Sequence, residues 1–166
     1  MYKLVAIIVA FFLVSCKTTT YYIVRHAEKE PLSMSADPGL TPEGEKQAKD
    51  LMFQLQDAKI RHVYSTNFTR TLATAEPTRD FFGLKINIYD PHNLEPFIEE
   101  LKKINDGNVL VVSHSNVVDD IVNELTGEKK IAGDLDEKEY GVVYVVKKTG
   151  NHYTFTKVPL KKVIPR

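Results

Sequence analysis

The chain has 166 residues, the length of one ordinary domain. Its apolar fraction of 43% is enough to build one core. Its 22 Lys+Arg balance 22 Asp+Glu, so no bulk field points to nucleic acid or to an acidic membrane surface. The single cysteine, Cys16, excludes an internal disulfide.

In chain order, Lys3 precedes an unbroken apolar run from Leu4 to Val14. That run is too short to span a bilayer as a helix but suits the hydrophobic region of a secretory signal. It ends in Leu13-Val14-Ser15-Cys16, which resembles a bacterial lipobox. The resemblance implies cleavage before Cys16 and lipid attached to that residue. Residues 1–15 are then a lipoprotein signal peptide, 16–20 a lipidated tether and 21–166 a single domain. The protein is expected at the bacterial cell envelope, exported and lipid-anchored, with the choice of inner or outer membrane open. A plain signal peptide, or a buried first strand with an incidental cysteine, is the alternative.

Tyr21 to Arg25 reads as the first strand, and Glu28 to Leu40, with its prolines, glycine and serines, as a loop. Thr41-Pro42-Glu43 has the order of a helix start: a capping hydroxyl, a proline at the first position, then an acid. Ala48, Leu51, Met52 and Leu55 fall on one face of that helix. Arg61 to Ser65 is a short strand, and Thr69 to Phe82 a helix that Pro77 should bend or interrupt. Lys85 to Tyr89 alternates as a strand does, Asp90 to Asn93 is a turn, and Pro96 to Ile104 is amphipathic. Val109 to Ser113 is the most apolar strand and is placed centrally. Val117, Val118, Ile121, Val122 and Leu125 give the next helix its buried stripe, with Gly127 as its cap. Gly141 to Val146 and Tyr153 to Val158 form a hairpin around Thr149-Gly150-Asn151. The expected fold is α/β: three layers, a mostly parallel central sheet flanked by helices, and an antiparallel C-terminal hairpin at its edge.

Two apolar runs end abruptly in histidine, at Arg25-His26 and at Ser113-His114. In an open α/β sheet, ligands bind beyond the carboxyl ends of the strands, so both histidines are expected in one crevice. An arginine fork matches phosphate oxygens, and a neutral imidazole nitrogen is a competent nucleophile toward phosphorus. Arg70, in the first turn of its helix, is expected near the same sheet edge, where free backbone N–H groups favour an anion. His114 has the position to bond a phosphoryl oxygen. None of the five histidines is spaced as a paired helical metal ligand, so no metal is called for, with a His26/His114/carboxylate site as the alternative, and no cofactor is expected. His62 and His92 read as strand-end or surface residues. Glu99 to Lys103 and Asp134 to Glu139 read as solvated charged faces.

Arg25-His26-Ala27-Glu28-Lys29, Leu40-Thr41-Pro42-Glu43-Gly44 with Gln47-Ala48, Ser65 through Ala75, and Ser113-His114-Ser115 follow, in order, the motifs of the histidine phosphatase superfamily. The resemblance, which spans Tyr21 to about Leu125, is to its phosphoglycerate mutase-like members and to the small phosphohistidine phosphatases of the SixA type. It implies that His26 is the nucleophile that becomes phosphorylated and that Arg25, Arg70 and His114 form the phosphate pocket. It implies a metal-independent phosphatase acting on phosphomonoesters or phosphoramidates of a small molecule or a protein, with no nucleic acid partner. Two departures stand out. The family's usual glycine after the histidine is Ala27. Its general acid, often a glutamate between the second arginine and the second histidine, has no clear match; Glu95 lies in that interval, in surroundings that do not fit the acid's motif. A phosphoryl-binding module with weak or no turnover is therefore the alternative. A mutase is disfavoured because the chain lacks long insertions around the site.

Overall fold

The computed structural model describes residues 17–31 and 35–163. The expected signal peptide and Cys16 lie outside the described residues. Ten elements follow one another: β1 (Thr18–Arg25), α1 (Pro42–Leu55), β2 (Ile60–Ser65), α2 (Thr69–Phe82), β3 (Ile86–Ile88), α3 (Leu94–Lys103), β4 (Asn108–Ser113), α4 (Val118–Thr126), β5 (Val142–Thr149) and β6 (His152–Pro159). They form one six-stranded sheet in the order β3-β2-β4-β1-β5-β6. The first four strands are parallel, and β5 and β6 turn the far edge antiparallel. The expected architecture is the observed one, with β4 at the centre between β2 and β1.

Side chains alternate across a strand, so each strand feeds two cores. Ile23, Val109, Val111, Tyr144 and Val146 face one way and pack with Phe97, Ile98 and Leu101 of α3 and Ile121, Val122 and Leu125 of α4. Val24, Leu110, Val112 and Val143 face the other way and pack with Leu51 and Leu55 of α1 and Ala75 of α2. Burial on both faces explains why β4 reads as a continuous apolar run rather than an alternating one. Each fully buried valine or leucine contributes about 1.5–3 kcal/mol. Among the described residues no helix is long and apolar enough to cross a membrane.

Three expectations need correction. The first strand begins at Thr18, not Tyr21: Thr18, Thr19 and Thr20 pair with Thr149, Lys148 and Lys147, and the Thr20 N–H donates to Asn108 Oδ1 at 2.8 Å. Threonine's branched side chain favours a pleated strand, so a polar stretch read as tether belongs to the sheet. Helix α2 runs through Pro77 without interruption. The proline removes one N–H, but the packing of Thr74, Ala75 and Thr78 in the interior holds the helix around it. Finally, β3 shortens to Ile86–Ile88 at the sheet edge, where only β2 pairs with it.

Candidate active site

The parallel pairing of β1 with β4 sets Arg25 opposite Ser113, so the next residue of each strand, His26 and His114, leaves the sheet at the same level. Their rings lie 5.7 Å apart, edge to face. Arg70 enters from the first turn of α2, which follows the neighbouring strand β2. A cleft of about 370 Å³ is lined by Arg25, His26, Arg70 and His114 together, with Lys29, Phe68, His92, Ser115 and Glu137 among the other walls. The four basic residues read from the sequence thus meet in one cleft.

The turn after β1 is tied on three sides. The His26 N–H donates to Ser113 O at 2.8 Å, the Ala27 N–H to Thr74 Oγ1 at 2.9 Å, and the Glu28 N–H to Gln47 Oε1 at 2.9 Å. Helix α1 begins against it: Thr41 accepts the Gly44 N–H at 3.0 Å as its cap. Gly44 itself is pressed onto Glu28, so closely that a Cβ there would lie 2.0 Å from the Glu28 carbonyl oxygen. The glycine of this motif is required by contact rather than by its own dihedral angles.

His26 Nδ1 lies 2.8 Å from the carbonyl oxygen of Ala27. A carbonyl only accepts, so Nδ1 carries the proton and Nε2 keeps its lone pair. Burial, then the nearby Arg25, Arg70 and His114, lowers the His26 pKa from 6.5 to about 3, against an opposing contribution from the Ala27 carbonyl. The ring is therefore a neutral base at neutral pH. Burial, then Arg70 and Arg25, likewise lowers His114 to about 4. Arg70 Nη2 lies 3.3 Å from His114 Nδ1, which makes Nδ1 the acceptor and Nε2 the donor to Thr66 Oγ1 at 2.9 Å. Thr66 is in turn bonded to Thr71 at 2.9 Å.

Arg25 is buried and almost fully engaged. Nη1 donates to the backbone oxygens of Asp136 (3.1 Å), Glu137 (2.9 Å) and Glu139 (3.5 Å), Nη2 donates to Glu137 Oε2 (2.9 Å), and the Tyr140 ring lies 4.3 Å from Cζ. Arg70 stacks on Phe68 at 4.6 Å and reaches Asp37 Oδ1 at 3.4 Å. Asp37 also receives the Thr69 N–H (3.0 Å to Oδ2) and hydroxyl (2.7 Å), which caps α2, whose own cap residue Phe68 has no side-chain oxygen. The Nε–H groups of Arg25 and Arg70 are both buried without a partner. Such donors are costly to leave unmet, and both guanidinium side chains border the cleft that His26 also lines.

Several of these residues escaped the sequence reading. The stretch Asp134 to Glu139 is largely solvated, as expected, but its backbone also folds back to clasp Arg25, with Leu135 buried and its N–H bonded to Ser115 O at 2.9 Å. His92 is exposed, as expected of a surface residue, and it also borders the cleft. Glu95 stands exposed in the first turn of α3 and does not line the cleft. The carboxylate that does line it is Glu137, which accepts the Ser115 hydroxyl at 2.5 Å. Ser115 first, then Arg25 and Lys29 against a desolvation penalty, lowers its pKa, so it is an anion rather than a proton donor. Among the described residues no three His, Cys, Asp or Glu side chains gather as metal ligands do.

Comparison with known proteins agrees with this geometry. The model of the Histidine phosphatase superfamily (branch 1) matches residues 21–91, the span that carries Arg25, His26 and Arg70. No curated protein matches the sequence significantly. Among solved structures, the fold is similar to the alpha-ribazole phosphatase of Shigella flexneri (TM-score 0.68, 16% identity, 89% of this chain and 98% of that one). It is similar to a phosphoserine phosphatase of Entamoeba histolytica in complex with 3-phosphoglyceric acid (0.65, 15%, 83% and 95%). It is also similar to a phosphoglycerate mutase of Bacillus anthracis (0.61, 19%, 86% and 93%). At such identities the likeness is one of fold, and His114, beyond the matched span, joins the other three through that fold. What the chain shares with these proteins is the family-matched segment 21–91, which carries Arg25, His26 and Arg70, and the overall fold.

Proposed function

We propose that the protein is a metal-independent phosphatase that works through a phosphohistidine on His26. The observation that carries this reading is the state of that ring: Nδ1–H is held by the Ala27 carbonyl, which leaves Nε2 unprotonated beside the two guanidinium groups with unmet Nε–H donors. In the first step Nε2 forms a bond to phosphorus, the P–O bond to the leaving group (P–N in a phosphoramidate) breaks, and its electron pair goes to that oxygen or nitrogen. In the second, water attacks phosphorus, the P–N bond breaks, and inorganic phosphate leaves with His26 neutral again. Arg25 and Arg70 hold the non-bridging oxygens, where charge spreads during transfer, and His114, with its Nε2–H on Thr66 and its Nδ1 accepting from Arg70, positions Arg70.

The leaving group's proton is the weak point of the scheme. Glu95 is exposed outside the cleft, and Glu137, inside it, is held ionised. The site therefore favours leaving groups that depart without much help, such as phosphoramidates and aryl phosphates. The same observation favours the second reading, a phosphoryl-binding module with weak turnover. Screening aryl phosphates and phosphohistidine, in excess chelator and with His26→Ala beside the natural chain, separates the two. Chelator-resistant turnover lost in the variant supports the phosphatase; stoichiometric phosphate binding without turnover of any ester supports the module. Full activity in His26→Ala overturns both the role of His26 and the intermediate.

The SixA-type kinship and the export of the protein are proposals of the same standing. The apolar run ahead of Cys16 supports export and a lipid anchor at that residue in the bacterial cell envelope, with the choice of inner or outer membrane open. A phosphatase exported in this way meets phosphorylated molecules of the envelope rather than cytoplasmic phosphorelay proteins.

A further inference from the structure

The chain's zero net charge conceals a separation along the strand axis. At the end of the sheet opposite the cleft lie Lys17 and segments 56–61, 83–85, 102–107, 127–130 and 147–152. Together they hold ten lysines and arginines against three acids, Asp57, Asp106 and Glu128. At the cleft end, segments 26–31, 35–46, 66–70, 89–95, 114–120 and 131–141 hold thirteen acids against four lysines and arginines. The basic end is not neutralised internally. Lys17, Lys59, Lys85, Lys103, Lys129 and Lys147 are exposed and make no ion pair among the described residues. Asp106 is occupied by His62 and Glu128 by Lys130. Lys85, Lys59 and Lys17 immediately precede β3, β2 and β1, and Lys147 lies near the end of β5, so the row crosses most of the sheet.

We infer that this basic end is a docking face for an anionic lipid surface. A basic face alone also suits nucleic acid, but the chain that leaves it decides between the two. Strand β1 starts at Thr18, and the apolar run Leu4 to Val14 is separated from it by Ser15, Cys16 and Lys17 alone. Three extended residues reach about 10 Å. Any insertion of that run, or of lipid on Cys16, brings the lysine row to the headgroups. Each lysine near an anionic leaflet then strengthens binding by roughly fivefold. The acidic end is repelled by the same surface, which orients the domain. The cleft follows the far end of an eight-residue strand, about 26 Å away at ~3.3 Å per residue. If the proposed phosphatase reading is right, headgroup phosphates of the carrying membrane are out of reach, and the substrate is a water-borne phosphorylated molecule.

The test is flotation of the full-length chain with vesicles of phosphatidylcholine, alone or mixed with phosphatidylglycerol. The natural chain is expected to partition at least about tenfold better onto the anionic vesicles. The combined variant Lys85→Glu, Lys103→Glu, Lys129→Glu and Lys147→Glu should lose that preference while retaining binding to neutral vesicles. A control at the opposite end, Lys46→Glu and Lys138→Glu, should keep it. Circular dichroism and turnover of a soluble aryl phosphate, unchanged in the first variant, exclude misfolding. Equal partition of the natural chain onto both vesicles overturns the inference, as does an equal loss in the control or displacement from vesicles by an RNA oligonucleotide. If no ester is turned over by any form, only the phosphatase reading fails, and the vesicle preference still decides this one.

Discussion

Replacing Gly44 by alanine should destabilise the fold and disturb the site, although the residue sits in a helix where alanine is ordinarily the better choice. In the first turn of α1, a Cβ at position 44 would stand 2.0 Å from Glu28 O, 3.0 Å from Glu28 C and 3.2 Å from Glu28 N. The obstacle is backbone, and it cannot swing aside. Glu28 is fixed through Gln47 on its N–H and Thr41 on its carbonyl, at 2.9 and 3.0 Å. Alanine's helix propensity returns up to about 1 kcal/mol, whereas overpacking a fixed contact costs about 1–3 kcal/mol and here is expected at the top of that range. The net expectation is a loss of about 2 kcal/mol, or ~4–8 °C in Tm for a domain of this size. Because the obstructed carbonyl lies two residues from His26, kcat/KM should fall as well. Urea denaturation gives the stability change, and turnover of an aryl phosphate the second effect. A Gly44→Ala protein as stable and as active as the natural one would refute the argument that contact with Glu28 demands this glycine.

Arg70→Lys keeps the charge but removes the fork that spans His114, Asp37 and the site, so kcat/KM should drop about 10²–10³-fold in steady-state assays; near-natural turnover would show that only the charge matters. With His26 lowered to about 3 and His114 to about 4, kcat/KM, corrected for ionisation of the ester, should stay level from pH 8 down to about 5, and a fall centred near 6.5 would contradict the neutral-ring assignment. The sign for stability follows from the same shifts: the unfolded imidazoles take up protons below about 6.5 while the folded ones do not, so unfolding free energy should decline from that pH toward 3. Glu137→Gln removes an anion that shares Arg25 with the incoming phosphate and should lower KM several-fold with kcat nearly unchanged, whereas a hundredfold loss of kcat would make Glu137 the missing acid.

What could be read from the chain, and what could not, divides by the kind of contact. The strands before His26 and His114 are legible because burial on both faces writes a continuous apolar run. Thr41, Pro42 and Gly127 are legible because helix ends select residue types, and they occupy their expected places. The partners of Arg25 were hidden because three of its bonds go to the backbone oxygens of Asp136, Glu137 and Glu139, and any residue supplies a carbonyl. Their acidic side chains, seen without the fold, look like a solvated face. Asp37 was hidden likewise: it caps a helix 32 residues further on, a relation that local spacing does not encode. Thr18 to Thr20 misled in the opposite sense, since polarity suggested a tether where branching and pairing make a strand.

The central claim is that phosphate passes through Nε2 of His26. Rapid acid-free quenching of the protein with a labelled aryl phosphate, followed by peptide mapping, tests it most directly. The account predicts an acid-labile, base-stable label on the peptide that contains His26, absent from His26→Ala together with turnover. Label on a carboxylate or on His114, or undiminished hydrolysis by His26→Ala, would contradict it.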